Sequence, residues 1–181
     1  MKEDFLSVVQ EKRFLGREFL TWLVHRIEDD GGRLTVDGSP VELALGDRVV
    51  LAGGAADRTR LTVVGEGDVR TEIGAGLRRG KLLDRARLVI RRGERHWEVT
   101  LDGGMLVHEG LRCPALGSRK ESRDQDPRAA LENDLFLRLA DVEEAVAILD
   151  GLFAEFCRLR GASTWATRTL PALQAWVETL R

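Results

Sequence analysis

Leu15, Phe19, Leu23 and Ile27 recur every fourth residue with Trp22 beside them, a spacing that predicts an amphipathic helix over 11–29. Phe14, Leu20 and Val24 widen the apolar stripe, so this helix is expected to pack on two sides. Asp29-Asp30-Gly31-Gly32 ends it and begins a turn. The period then changes from four to two. Leu34 and Val36 alternate with polar neighbours, as do Val41, Leu43 and Leu45, and two further runs follow at 49–51 and 61–64. Gly46-Asp47, Gly53-Gly54 and Gly65 punctuate them, which predicts separate short strands.

A second helix is expected over 69–79. Asp68 suits its N-cap, Val69, Ile73 and Leu77 make its buried stripe, and Gly80 suits the left-handed position after its end. Gly74 and Gly76 each cost about 1 kcal/mol relative to alanine, so either a neighbour approaches closely there or the helix is marginal.

Residues 85–102 form the clearest element, a β-hairpin turning at Gly93-Glu94. In that register Ile90 faces Trp97, Leu88 faces Val99 and Ala86 faces Leu101, all on one side. The other side sets Arg85, Arg87, Val89 and Arg91 opposite Asp102, Thr100, Glu98 and His96. After Asp102-Gly103-Gly104 a third strand is expected at roughly 105–112.

Residues 114–128 are polar and charged, and predict a loop. From 128 to 160 the chain reads as two helices or one kinked helix. Its apolar stripe is Leu131, Leu135, Leu139, Val142, Val146, Leu149, Leu152, Phe153 and Phe156. A linker at 161–168 leads to a last helix with Pro171 in its first turn and Leu170, Leu173, Trp176, Val177 and Leu180 on its face.

These elements predict an α+β fold. A mostly antiparallel sheet carries the N-terminal helix and one short crossover helix, and a helical C-terminal segment follows. The expected organisation is an α+β core over 1–113, a charged loop over 114–128 and a helical segment over 129–181 packed on the core.

The 181 residues, 43% hydrophobic and 32% charged, suit one globular domain. No apolar run approaches the roughly 20 residues of a membrane-spanning helix. The first residues lack the basic and apolar regions of a signal peptide, so a cytoplasmic location is expected, nucleoid-associated if DNA is bound. Cys113 and Cys157 are then expected as reduced thiols.

Charge changes the picture more. The chain is −2 overall, yet the window 78–95 carries eight basic and two acidic residues, a local +6. Residues 121–155 carry ten acidic and three basic ones, a local −7. Such a chain either meets a polyanion with its basic window or pairs its two halves internally.

Catalytic patterns do not emerge. His25, His96 and His108 have no metal-binding spacing and no Cys-x-x-Cys occurs. Gly65-Glu66-Gly67 lacks the remaining elements of a nucleotide-binding turn. The expectation is a protein that is not an enzyme, with no cofactor and no metal.

The segment Phe14-Leu-Gly-Arg-Glu-Phe-Leu-Thr-Trp-Leu23 is similar to one found in the recombination-associated protein RdgC family. So is the order of elements from Arg60 to Cys113. A short helix there ends Arg79-Gly80-Lys81, the strands Ala86-Arg-Leu-Val-Ile90 and Trp97-Glu-Val-Thr-Leu101 follow, and Asp-Gly-Gly leads into another strand. The resemblance covers residues 14–112 and is to the later half of that family. It implies a protein that binds duplex DNA without sequence preference, as a ring-shaped dimer, and modulates recombination.

The leading expectation is therefore non-sequence-specific DNA binding related to recombination or genome maintenance. Arg78, Arg79, Lys81, Arg85, Arg87, Arg91, Arg92 and Arg95 would contact phosphates. The alternative is a non-catalytic protein-interaction or dimerisation module, with Phe14, Trp22, Trp165 and Trp176 at the interface. Duplex DNA and a second copy of the chain are the expected partners, and no membrane is.

Overall fold

A computed structural model describes residues 14–53, 59–65, 70–116 and 126–180, the side chains of Phe14 and Pro127 apart. The first helix is α1, Phe14–Asp29; the remainder of its expected span, 11–13, lies outside the described residues. Its four-residue spacing buries Phe19, Leu23 and Ile27, and Leu20, Trp22 and Val24 extend the buried arc. Gly31 and Gly32 follow at φ 60° and 77°, left-handed backbone that glycine adopts without a Cβ clash.

The strands are β1 (Arg33–Val36), β2 (Ser39–Ala52), β3 (Arg60–Val64), β4 (Leu82–Arg92), β5 (Arg95–Asp102) and β6 (Val107–Arg112). Helix α2 (Arg70–Arg78) lies between β3 and β4. Every pairing is antiparallel, in the order β1-β2-β4-β5-β6, with β3 also pairing β2. The chain thus leaves β3 on one side of β2, passes through α2 and returns as β4 on the other. The α+β architecture is as the sequence predicts.

The hairpin β4–β5 has the expected register, Ile90 opposite Trp97, Leu88 opposite Val99 and Ala86 opposite Leu101. Residues 41–45 and 49–51, expected as two strands, belong to one. Between the pairs Leu45–Leu88 and Val49–Ala86, β2 advances four residues and β4 two, so Gly46-Asp47-Arg48 bulges out without ending the strand. A second bulge at Asp84 lets Leu83 and Ala86, three residues apart, both face the core. Asp84 is buried and meets Arg17 at 2.6 Å and Arg60 at 3.3 Å.

Helices cover one face of the sheet. The other stays in water, as an antiparallel sheet permits. Gly74 and Gly76 mark close approaches: a Cβ at 74 would lie 2.5 Å from Leu180 Cβ, and one at 76 would lie 2.8 Å from Leu51 Cδ2. Gly80, at φ 79°, closes α2, with the N–H groups of Gly80 and Lys81 donating to the carbonyls of Leu77 and Gly76.

Instead of two helices or a kink, residues 127–161 form one unbroken helix, α3 (Pro127–Gly161). At 35 residues it is about 52 Å long. Asp126 caps it by accepting from the Arg128 N–H at 3.0 Å, and Pro127 opens its first turn. Most of the expected linker 161–168 is itself helical. Trp165–Thr169 form a π-helical turn that runs straight into α4, Leu170–Thr179. One continuous core takes residues from α1, the sheet, α2, the second half of α3 and α4.

Candidate functional site

The basic window is largely engaged within the chain. Arg85 meets Asp102 at 2.5 Å and Glu109 at 3.5 Å; Arg87 meets Asp47 at 3.2 Å and also Glu98. The hydrogen bonds to Asp102 and Glu98 raise the pKa of both guanidiniums further, against the effect of their slight burial. Burial pushes the Asp102 carboxyl up, but its bonds with Arg85 and the Met105 and Gly104 N–H groups prevail and hold it below the usual range. Arg78 donates to the carbonyls of Val177 and Leu180, closing the end of α4, and Lys81 donates to Thr59. Arg79 and Arg91 are exposed, with no carboxylate within ion-pair reach among the described residues.

Arg92 and Arg95 do something else. Arg92 meets Glu144 at 3.4 Å, and Arg95 holds both Asp141 and Glu144 while lying 5.0 Å over the Trp97 ring. Trp97 Nε1 donates to the Asp141 carbonyl at 3.0 Å. The tip of the β4–β5 hairpin therefore clamps α3 at 141–144. Of the two possibilities the charge asymmetry raised, internal pairing operates here: the basic segment holds the acidic one.

The aromatic residues expected at an interface are core residues. Trp22, Trp165 and Trp176 are all buried. Trp22 and Phe156 pack at 5.7 Å, Phe156 meets Trp165 edge-on at 5.8 Å, and Trp176 donates to Glu28 at 3.0 Å. Their rings fill the space between α1, α3 and α4, which removes them from any partner's reach. The Phe14 side chain lies outside the described residues.

The exposed apolar surface lies elsewhere. From Arg128 to Ala140, only Ala130 and Asp134 are even half-buried, although Arg138 donates to the Pro114 carbonyl. Leu131, Leu135, Phe136, Leu137, Leu139 and Val142 lie between 37% and 71% exposed. Leu131, Leu135, Leu139 and Val142 share one side of the helix, which continues through Val146 to Leu149 and Phe153. Below the clamp the same helix buries Ala145, Ile148, Leu149, Leu152 and Phe156. The stripe expected to face the core is buried only in its second half. One sequence signal pointed this way: Phe136 and Leu137 lie off the stripe, so an isolated helix here is apolar on several sides.

A polar cleft of about 280 Å³ opens on the wet sheet face between Arg48, Arg85, Arg87, Thr100, Glu109 and Gly110. Arg48 stands in the β2 bulge, without a carboxylate in ion-pair reach among the described residues. Elsewhere the chemistry is muted. Burial raises both cysteine pKa values, with the Asp141 charge adding to the effect at Cys113, so the thiols keep their protons. Among the described residues no group of three or more His, Cys, Asp or Glu gathers to hold a metal ion. No described helix is long and apolar enough to cross a membrane. Compared with protein-family models, with curated proteins and with solved structures, the chain matches none.

Proposed function

We propose that this chain is a non-catalytic interaction module that holds another protein through the projecting half of α3. The observation that carries this reading is the row of Leu131, Leu135, Leu139 and Val142 bared along one side of a helix that the hairpin clamp holds at a fixed point. A helix kept out in water with such a surface loses stability with every apolar group it leaves wet, unless a partner covers it. Helix-in-groove recognition reads this kind of i, i+4, i+8 pattern. The test is photocrosslinking in cells with a benzophenone amino acid placed at Leu135 or, as control, at Ala129. A discrete adduct of higher mass from position 135 and none from 129 is the expected result; no adduct from 131, 135, 136 or 139 refutes the reading.

A second reading, duplex-DNA binding, is favoured by the Arg48–Arg85–Arg87 cleft and by the resemblance to the later half of the RdgC family. Three guanidiniums and the Thr100 hydroxyl around one opening suit a phosphate. Within that cleft Arg85 and Arg87 are already held by Asp102, Glu109, Asp47 and Glu98, and most of the window elsewhere would likewise have to leave a carboxylate or a carbonyl before touching DNA, which weakens the case for a broad basic surface. Anisotropy of a labelled random duplex, with Arg48, Arg85 and Arg87 replaced together by alanine, separates the two readings. Salt-sensitive binding that the triple variant loses supports DNA; equal titrations of both proteins remove it.

A further inference from the structure

Away from the α3 surface, we propose that the protein holds a compact, uncharged apolar molecule in the cavity between α4 and the core. The cavity is about 360 Å³, at the lower end of small-molecule sites. Leu77 of α2, Leu82 at the start of β4, Trp165 of the π-helical turn, and Leu173 and Val177 of α4 give it apolar walls, and Thr21 reaches it from α1.

Protein interiors are close-packed, so a space of this size between a helix and its body has to be held open. Both ends of α4 are anchored. Trp165 meets Phe156 edge-on at 5.8 Å, and Arg160 lies 5.2 Å over its ring while donating to Glu18 at 2.7 Å. At the far end Arg78 donates to the Val177 and Leu180 carbonyls, and a Cβ at Gly74 would lie 2.5 Å from Leu180 Cβ, so the two helices already touch there. Trp176 is fixed to Glu28 at 3.0 Å and meets His25 edge-on. With these contacts made, α4 cannot settle inward to close the gap, and the space is preorganised for a guest. The π-helical turn is a second, independent sign. The Thr169 N–H reaches back to the Thr164 carbonyl at 3.4 Å, a wide turn that is rare and occurs frequently at functional sites, and here it sets Trp165 into the cavity wall.

Polarity gives the class of guest. Glu18 is engaged by Arg160, Arg78 by the α4 carbonyls and Lys81 by Thr59. Thr21 spends its hydroxyl proton on the Arg17 carbonyl at 2.8 Å. Gln174 and Glu178 also border the cavity and are exposed, toward the solvent side. A charged group carried inside would lose its water and have to break one of these bonds to regain a partner. A ring system or short branched chain loses nothing of that kind and packs on leucine, valine and indole.

The experiment titrates the full chain with N-phenyl-1-naphthylamine, an uncharged dye that brightens out of water. Saturable, stoichiometric binding is expected. Thr21→Leu and Val177→Phe fill the cavity from α1 and from α4. Each should weaken the dye by about tenfold or more while melting at or above the wild-type temperature. Leu135→Lys with Leu139→Lys, on the α3 stripe, should leave the dye's affinity unchanged. In competition, 2-naphthol should displace the dye at a concentration about tenfold below that of 2-naphthoate, which brings the same rings with a charge. No saturable binding overturns the proposal. Full affinity in both filled variants, or lost affinity in the α3 variant, also overturns it, because the dye then sits elsewhere. Filled variants that both melt several degrees lower show that the walls already touch, and overturn the cavity itself. Displacement by naphthoate at or below the naphthol concentration overturns the uncharged class.

Discussion

Leu135 and Leu152 lie on the same helix, and truncating each to alanine should give opposite results. Leu152 is 0% exposed among Phe19, Ile148 and Phe156 in the core, while Leu135 is 63% exposed beyond the clamp. Removing a fully buried leucine loses its transfer free energy and leaves a cavity, a loss of about 3 kcal/mol. In a chain of this size that lowers the melting temperature by about 6–12 °C. Leu135→Ala removes a side chain with few neighbours, and alanine is the better helix former, so the change stays within about 0.5 kcal/mol. Circular-dichroism melts make the comparison. A loss above about 1 kcal/mol for Leu135→Ala refutes the claim that the Leu135 side chain lies mostly in water.

Arg95→Ala strips Asp141, 6% exposed, of its guanidinium while Arg92 stays on Glu144. Discounted for the exposure of Arg95, the loss is about 2 kcal/mol, or about 4–8 °C, with faster amide exchange at 141–146; an unchanged melt would show that the clamp holds nothing. Burial pushes the His25 pKa down, outweighing the raising effect of Asp29, where the ring meets Trp176 edge-on at 5.3 Å. The folded state therefore binds this proton less readily than the unfolded chain. The contribution to stability is present above the ordinary histidine range and lost as pH falls through it, so His25→Gln should flatten the melting temperature between roughly pH 7 and pH 5. An unaltered slope in that variant would assign the titration to another group. Gly74→Ala gains about 1 kcal/mol of helix propensity but sets a methyl group 2.5 Å from Leu180 Cβ and 2.7 Å from its carbonyl oxygen. A net loss of about 1–3 kcal/mol in urea titrations is expected, and a stabilised variant would mean that α4 yields easily.

Local pattern was enough for most of the fold. The hairpin register was legible because alternation on two strands has to agree on both faces, and one slip would expose Trp97. Helices α1 and α2 were legible from their four-residue stripes and the glycines after them. The β2 bulge was not, because glycine followed by aspartate reads as a turn, and only pairing with β4 carries the strand through it.

The candidate site was mostly illegible. Trp22, Trp165 and Trp176 have the composition of an interface, and only the docking of α4 and the π-helical turn against α1 makes them core. Arg92 and Arg95 counted toward a basic window until the fold set them against Asp141 and Glu144, some 50 residues away in sequence. The apolar stripe of α3 is continuous in sequence, but whether a leucine in it is buried depends on where the body beneath the helix stops. Periodicity is a property of one segment, and composition determined its amphipathic character here. Burial and ion pairing belong to two segments at once, so the bare half of α3 came into view only when the hairpin tip met the helix at Asp141.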